Sequence, residues 1–260
     1  MNWKRVISRG ISELYLLPNL ITGAPSGYRV LMYHSIGGQV MRDNLNIYSI
    51  AQKLFQKHMD YLSKQSDLSI VDFSDDALRL SKNSIAITFD DGYKDNLYVA
   101  APIMEELKLP YTVFVSTGFI KSGNKNFLSA KELRTLSESS YVNIGSHGVS
   151  HDPLAECSDK QLKNELVYSK HYIEDIIGKP VLTIGYPHGS VDQRVKLAAK
   201  RAGYQLGGTS YMDINHSESD KLLLARTSIL GIDTMRVFEQ KINGRWDWYK
   251  FLQSNPSLGS

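Results

Sequence analysis

Cysteine is nearly missing from this chain: Cys157 is the one thiol in 260 residues. No intramolecular disulfide can form, which excludes a small secreted scaffold stapled by bridges, though not an exported protein without them. Long apolar runs are missing as well. No window approaches the ~18–20 consecutive apolar residues that a membrane span needs. Nor does one sign of charge dominate, since 30 Lys and Arg against 27 Asp and Glu leave +3. So small a balance argues against nucleic-acid binding driven by bulk charge. There is no internal repeat, low-complexity stretch or long linker. What is present is ordinary globular composition, 42% hydrophobic and 22% charged, at a length that suits one large domain or two small ones.

The N-terminus begins with Lys4, Arg5 and Arg9, as a signal peptide would. The apolar run that should follow is broken by Ser8, Ser12, Glu13, Pro18 and Asn19, so no signal is read. Trp3, Val6, Ile7, Ile11, Leu14 and Leu17 recur at helical spacing, which predicts an amphipathic helix over 3–17. Residues 1–27 are thus expected to be a helix and connector, and 28–260 a single folded domain. The helix either packs on the domain or lies peripherally on a membrane surface. The expected location is the cytoplasm, with the inner membrane surface as its peripheral variant.

From Tyr28 onward the pattern alternates. Strand-like runs fall at Tyr28–Tyr33, Leu68–Val71, Ile85–Phe89, Tyr111–Val115, Tyr141–Gly145 and Val181–Tyr186, with weaker ones at Tyr204–Gly207 and Leu223–Leu230. Ser49 with Gln52, Ser129 with Glu132, Ser158 with Gln161 and Ser190 with Gln193 have capping-box spacing. Gly178 followed by Pro180 marks a helix end. Residues 37–48 and 118–128 read as loops. This repetition predicts an α/β fold of one domain, an irregular (β/α) barrel of seven to eight parallel strands, with a doubly wound open sheet as the alternative.

Parallel β/α folds gather functional groups at the C-terminal ends of strands. Two stretches stand at such ends. Ile85–Phe89 runs into Asp90-Asp91-Gly92, adjacent carboxylates that repel unless something positive lies beside them. A divalent cation would supply it; an acidic helix N-terminus is the plainer reading. Ile144-Gly145-Ser146 leads into His147-Gly148-Val149-Ser150-His151. Two imidazoles and one carboxylate form a zinc-like ligand set with a position left open.

Thr88-Phe89-Asp90-Asp91-Gly92 together with Ser146-His147-Gly148-Val149-Ser150-His151 resembles the first two motifs of the polysaccharide deacetylases, the NodB-homology enzymes of carbohydrate esterase family 4. The resemblance runs from about Tyr28 to Gly244. It implies Asp90 as catalytic base, and Asp91, His147 and His151 as ligands of one divalent metal, zinc first, with cobalt, manganese or nickel admitted by the same donors. The family's third motif, Arg-x-Pro-Tyr, corresponds here to Gly185-Tyr186-Pro187-His188. The arginine that orients the base is lost, and Arg226 near the last strand is the candidate replacement. Tyr186, Pro187 and His188 are expected to face the substrate, with the His188 amide holding the oxyanion and Tyr186 stacking on a sugar. The family's late Leu-x-Leu-His motif has no counterpart after the third motif. Leu31-Met32-Tyr33-His34 on the first strand resembles the permuted poly-N-acetylglucosamine deacetylase branch, which implies His34 as the general acid.

The resemblance implies removal of N-acetyl groups from an N-acetylated glycan or glycan precursor, with release of acetate. Two alternatives remain at this stage: an amidase on a non-sugar amide, and a carbohydrate-binding pseudoenzyme, for which Gly185 in place of arginine is the support. Trp246-Asp247-Trp248-Tyr249 reads as packing for the last helix, and His58 and His171 as surface or boundary residues.

Overall fold

A computed structural model describes residues 27–40, 43, 45–74 and 83–254. The amphipathic segment 3–17 lies outside them. No helix among the described residues is long and apolar enough to cross a membrane.

Among the described residues ten strands form: β1 (Tyr28–Tyr33), β2 (Ser35–Ile36), β3 (Ser49–Ile50), β4 (Ser69–Val71), β5 (Ser84–Phe89), β6 (Tyr111–Val115), β7 (Val142–Ser146), β8 (Thr183–Gly185), β9 (Leu206–Gly208) and β10 (Thr227–Ser228). Eight make one parallel sheet in the order β10-β1-β5-β6-β7-β8-β9, with β4 beside β5. β1, β5 and β6 are buried at every residue, as strands covered on both faces must be. The sheet curls almost into a ring. Leu224 bridges Gly208 of β9, while Thr227 three residues on pairs with Leu31 of β1. One short segment thus joins the first and last strands. The barrel is irregular at β5, where β4 pairs with Ser84–Ala86 and β6 takes over the same edge at Thr88–Phe89.

The helices are α1 (Gln52–Ser63), α2 (Ala101–Glu106), α3 (Thr117–Lys121), α4 (Ala130–Ser137), α5 (Asp159–Lys163), α6 (Ser169–Ile177), α7 (Gln193–Arg201) and α8 (Met235–Ile242). Capping boxes form at Ser129 and Ser158. The other two expected boxes do not. Ser49 is paired within β3, and Asp192, not Ser190, accepts from Val195 N–H to cap α7. A carboxylate at the N-cap also favours the helix dipole. Residues 118–128 are not all loop, since α3 falls partly within them. The helix from Ser158 runs as α5 and α6 joined by a π-helical turn at Asn164–Tyr168 and ends at Gly178 with φ 67°. His58 is not a surface residue: it is fully buried, stacked on Phe238 at 3.9 Å and hydrogen-bonded to the Tyr33 hydroxyl.

Strand parity explains where the polar residues go. Side chains of one parity point between sheet and helices, those of the other into the barrel. Tyr28 and Val30 of β1, Ala86 of β5, Phe114 of β6 and Leu206 of β9 form a small inner cluster with Phe73 and Leu224. Ile85, Ile87 and Phe89 belong to the larger outer core. Continuing the inner parity upward gives His34 after β1, Asp90 after β5 and Arg226 after Leu224. The inner wall is then an apolar floor topped by a ring of ionisable groups.

Candidate active site

Those groups meet in a cleft of about 680 Å³ at the C-terminal ends of the strands. Asp91 is the first residue past β5 whose side chain parity alone would send outward. A positive φ of 75° turns it back. Among the described residues five non-glycines have positive φ, and Asp91, His151 and His188 are three of them. Conformations that cost of order 1–3 kcal/mol each are therefore concentrated around one point.

Asp91 Oδ1 lies 3.1 Å from His151 Nε2 and 3.4 Å from His147 Nε2, and ligand atoms of the three residues all lie within 4.8 Å of one another. His147 Nδ1 sits 2.7 Å from the Gly185 carbonyl oxygen. A carbonyl only accepts, so Nδ1 carries the proton and Nε2 presents its lone pair. Burial pushes the His147 imidazole down to about 4, with the neighbouring His151 adding to the effect against the pull of Asp90 and Asp91. The ring is neutral at neutral pH. Asp91 Oδ1 is buried without a hydrogen-bond partner. Burial would raise this carboxyl, yet His151 first, then the neighbouring His34 and His147 imidazoles, outweigh it and hold it well below the usual range. One anionic oxygen and two imidazole nitrogens converging on a single point are a donor set that fits a divalent cation.

The loop carrying both histidines is fixed from behind. Buried Glu165, in the π-helical turn, accepts from Val149 N–H at 2.6 Å, Ser150 N–H at 3.1 Å and the Ser150 hydroxyl at 2.8 Å. Nothing in the sequence pattern singled out Glu165, because its partners are two backbone amides and one serine hydroxyl of a distant loop.

Asp90 stands beside this cluster, 3.9 Å from His147 Nε2. Arg226, 1% exposed, grips it at two points, 2.7 and 2.8 Å, and also donates from Nε to the Thr209 carbonyl. Burial would raise the Asp90 carboxyl, but Arg226 first and His147 second overcome it and lower it below the ordinary value. The guanidinium passes where β9 has Gly208, whose Cβ would lie 2.8 Å from Arg226 Cδ. At Gly185 a Cβ would meet Phe114 at 3.0 Å and His147 Nδ1 at 3.2 Å. The arginine thus reaches the carboxylate from the closing strand, and Gly185 leaves room for the histidine.

His34 lines the same cleft, its ring 4.7 Å from Tyr48 and its Nδ1 without a hydrogen-bond partner. His188 lies on the opposite side, 4.5 Å from the His151 ring, with Nε2 3.1 Å from the His151 carbonyl oxygen. Burial, then His151, lowers its pKa. His188 takes a left-handed conformation, φ 58°, within the short segment Pro187–Gly189, whose Gly189 N–H bonds back to the Tyr186 carbonyl. Pro187 is buried.

Two aromatic assignments need correction. Tyr186 borders the cleft but is fully buried, and its hydroxyl is directed at Gly207. A ring packed that deeply offers no face to a sugar. Conversely, Trp246 and Tyr249 do not merely pack a helix. Both line the cleft together with Tyr48, and Tyr48 and Tyr249 are over one-third exposed. They come from a loop and the C-terminal segment, where no strand end announces a cleft-lining residue.

The polysaccharide deacetylase family model matches residues 77–207, half of the chain. The chain is 28% identical over 198 residues to YxkH of Bacillus subtilis, covering 73% of this chain and 66% of that protein. It is 26% identical over 180 residues to the poly-β-1,6-N-acetyl-D-glucosamine N-deacetylase of Staphylococcus aureus, covering 62% and 60%. It therefore spans two thirds or less of the length of these relatives. Among solved structures, the Streptococcus pyogenes deacetylase PplD in complex with acetate superposes with a TM-score of 0.74 at 25% identity, over 84% of this chain and 99% of that one. With its barrel, its strand-end motifs and half its length matched, this chain belongs to the polysaccharide deacetylase family.

Proposed function

We propose that the chain is a metal-dependent N-deacetylase that removes acetyl groups from an N-acetylated glycan and releases acetate. The observation that carries this reading is the convergence of Asp91 Oδ1, His147 Nε2 and His151 Nε2, with an arginine-paired carboxylate beside them in an open cleft. Asp91, His147 and His151 would hold the metal, zinc first among candidates. A divalent cation bound there supplies Lewis acidity, which lowers the pKa of water and polarises an acetyl carbonyl.

The chain's own residues account for the remaining steps. Asp90, kept ionised by Arg226, takes the proton of the attacking water. The His188 amide donates to the oxygen that gains charge, an interaction of about 3–4 kcal/mol in comparable sites. His34, across the cleft, gives its proton to the departing nitrogen, because an amine leaves poorly unless protonated. The C–N bond breaks and yields acetate and a free amino sugar. Tyr48, Trp246 and Tyr249 wall the cleft where the sugar rings would lie. The S. aureus relative's substrate makes poly-N-acetylglucosamine the first glycan to try.

The pseudoenzyme alternative rested on the missing third-motif arginine, and the Arg226–Asp90 pair fills that gap. Acetate release from N-acetylglucosamine oligomers, with zinc, cobalt, manganese or nickel and with chelator, tests the proposal. Release that needs metal supports it. One bound metal per chain without release from diverse acetylated glycans would favour a binder. His34→Ala should lose turnover and keep its metal; loss of metal would mean that His34 has another role.

A further inference from the structure

His34 sits just past the end of β1, on a buried segment that leaves the barrel sheet. β1 ends at Tyr33, and the chain then turns away through the two-residue strand β2 to Gly37, which has φ 81°. Residues 34, 35 and 36 are nevertheless each held, and by the same two side chains. Asn96 Nδ2 donates to the His34 carbonyl at 2.9 Å. Asp95 accepts from the Ser35 hydroxyl at 2.6 Å and from Ile36 N–H at 2.9 Å. Asn96 Nδ2 also lies 3.2 Å from Asp95 Oδ1, which ties the two together.

Local structure gives no reason for this arrangement. Asp95 stands in helical conformation, φ −66° and ψ −17°, directly before the π-helical turn Asn96–Ala100, and its side chain makes no capping bond there. Its carboxylate is engaged by the neighbouring segment instead. Asn96 is fully buried, and its Oδ1 has no partner, a cost that its Nδ2 bonds must offset. The turn is π-helical, a geometry that recurs at functional sites. Asp95 and Asn96 follow Asp90-Asp91 by five residues, on the stretch that leaves the same strand end. Asp90 N–H in turn donates to the Tyr33 carbonyl at 2.9 Å. The segment bearing the carboxylates is thus bonded to the one bearing His34 immediately before and after it.

We infer that Asp95 and Asn96 are positioning residues, a clamp that sets His34 at a fixed distance from Asp90 and Asp91 so that proton donation to the leaving group is aligned with attack on the opposite side of the carbonyl. The inference rests on the proposed role of His34 as the acid.

The test uses two substrates that differ in their need for an acid. An N-acetylglucosamine oligomer must lose an amine, whereas 4-nitrophenyl acetate loses a phenolate that departs without a proton. Asn96→Ala should lower kcat on the oligomer about tenfold to hundredfold, the scale of an ångström-size misplacement, with KM and metal content kept and ester hydrolysis unchanged. Asp95→Asn, which keeps the shape and part of the acceptor capacity, should give a smaller loss of the same selectivity and guards against a variant that fails to fold. His34→Ala is the reference and should show the same selectivity in full. Equal losses on both substrates in folded Asn96→Ala and Asp95→Asn, or no loss on the oligomer, would overturn the clamp while leaving the acid assignment standing. An oligomer rate that survives His34→Ala would refute the acid assignment itself, and the clamp with it.

Discussion

Replacing Arg226 by methionine strips Asp90 of a two-point ion pair while keeping an unbranched apolar stem. Both partners are almost inaccessible, at 1% and 4% side-chain exposure. Water cannot take over the role of the guanidinium, so breaking the pair leaves a buried charge without compensation, a loss of about 3–5 kcal/mol. The Thr209 carbonyl loses its bond from Nε at the same time, about 1 kcal/mol more. Against a total stability of about 5–15 kcal/mol this is a large fraction, and at about 2–4 °C per kcal/mol it lowers the melting midpoint by about 8–24 °C. The assay is calorimetry on metal-free protein, so that no cation offsets the orphaned carboxylate. A second variant with Asp90→Leu added to Arg226→Met removes both charges and should recover most of the loss. The pH dependence also changes sign. In the parent, Asp90 is held below its ordinary pKa, so its contribution is present above that value and is lost as pH falls. Without Arg226 burial dominates, the native carboxyl binds a proton that the unfolded one has released, and stability falls as pH rises. A midpoint within about 2 °C of the parent, or a double variant no more stable than the single one, would refute this reasoning.

Further outcomes follow from other parts of the structure. His58 is held neutral, its pKa pushed down to about 3 by burial and then by Lys241; below the ordinary value of about 6.5 the unfolded chain binds the proton that the native one refuses, so melts should show stability falling by up to about 1.4 kcal/mol per pH unit from pH 6.5 towards 3, and His58→Phe should flatten that slope. Glu165→Ala frees the backbone between the two histidines and should weaken zinc binding about tenfold to hundredfold by titration calorimetry, with Cys157→Ser as an unaffected control. Tyr249→Ala removes an exposed ring from the cleft wall and should raise KM for N-acetylglucosamine oligomers about fivefold with kcat kept; a fall in kcat alone would place the ring with the reacting groups instead.

Much of the fold was legible because parallel strands buried on both faces must be continuous apolar runs. Tyr28–Tyr33 and Tyr111–Val115 were bounded to the residue for that reason. Legibility fell wherever a strand was short or an alternative partner existed. Thr227–Ser228 pairs over two residues inside a run that reads as eight, because the same segment first serves β9 through Leu224. Serine spacing located caps only where no better acceptor lay nearby: at Ser190 the carboxylate of Asp192 prevailed.

The site divides along the same line. Groups that sit at strand ends on the inward parity, His34, Asp90 and His147, announce themselves, whereas Asp91 points inward only because its positive φ overrides the parity. Groups that act by reaching across the barrel do not. Arg226 directly precedes the closing strand β10 and meets Asp90 through a gap that Gly208 leaves open, so its placement depends on a missing side chain elsewhere in the chain. Glu165 and the Asp95–Asn96 pair work mainly on backbone groups, which carry no residue identity for a pattern to match. Tyr186 shows the converse. Its neighbour in sequence, Pro187, belongs to a motif, but adjacency in an extended segment alternates direction, and the ring went into the core. In a barrel of this kind the candidate reacting groups are local to their strands, whereas their charge balance and alignment are properties of closure.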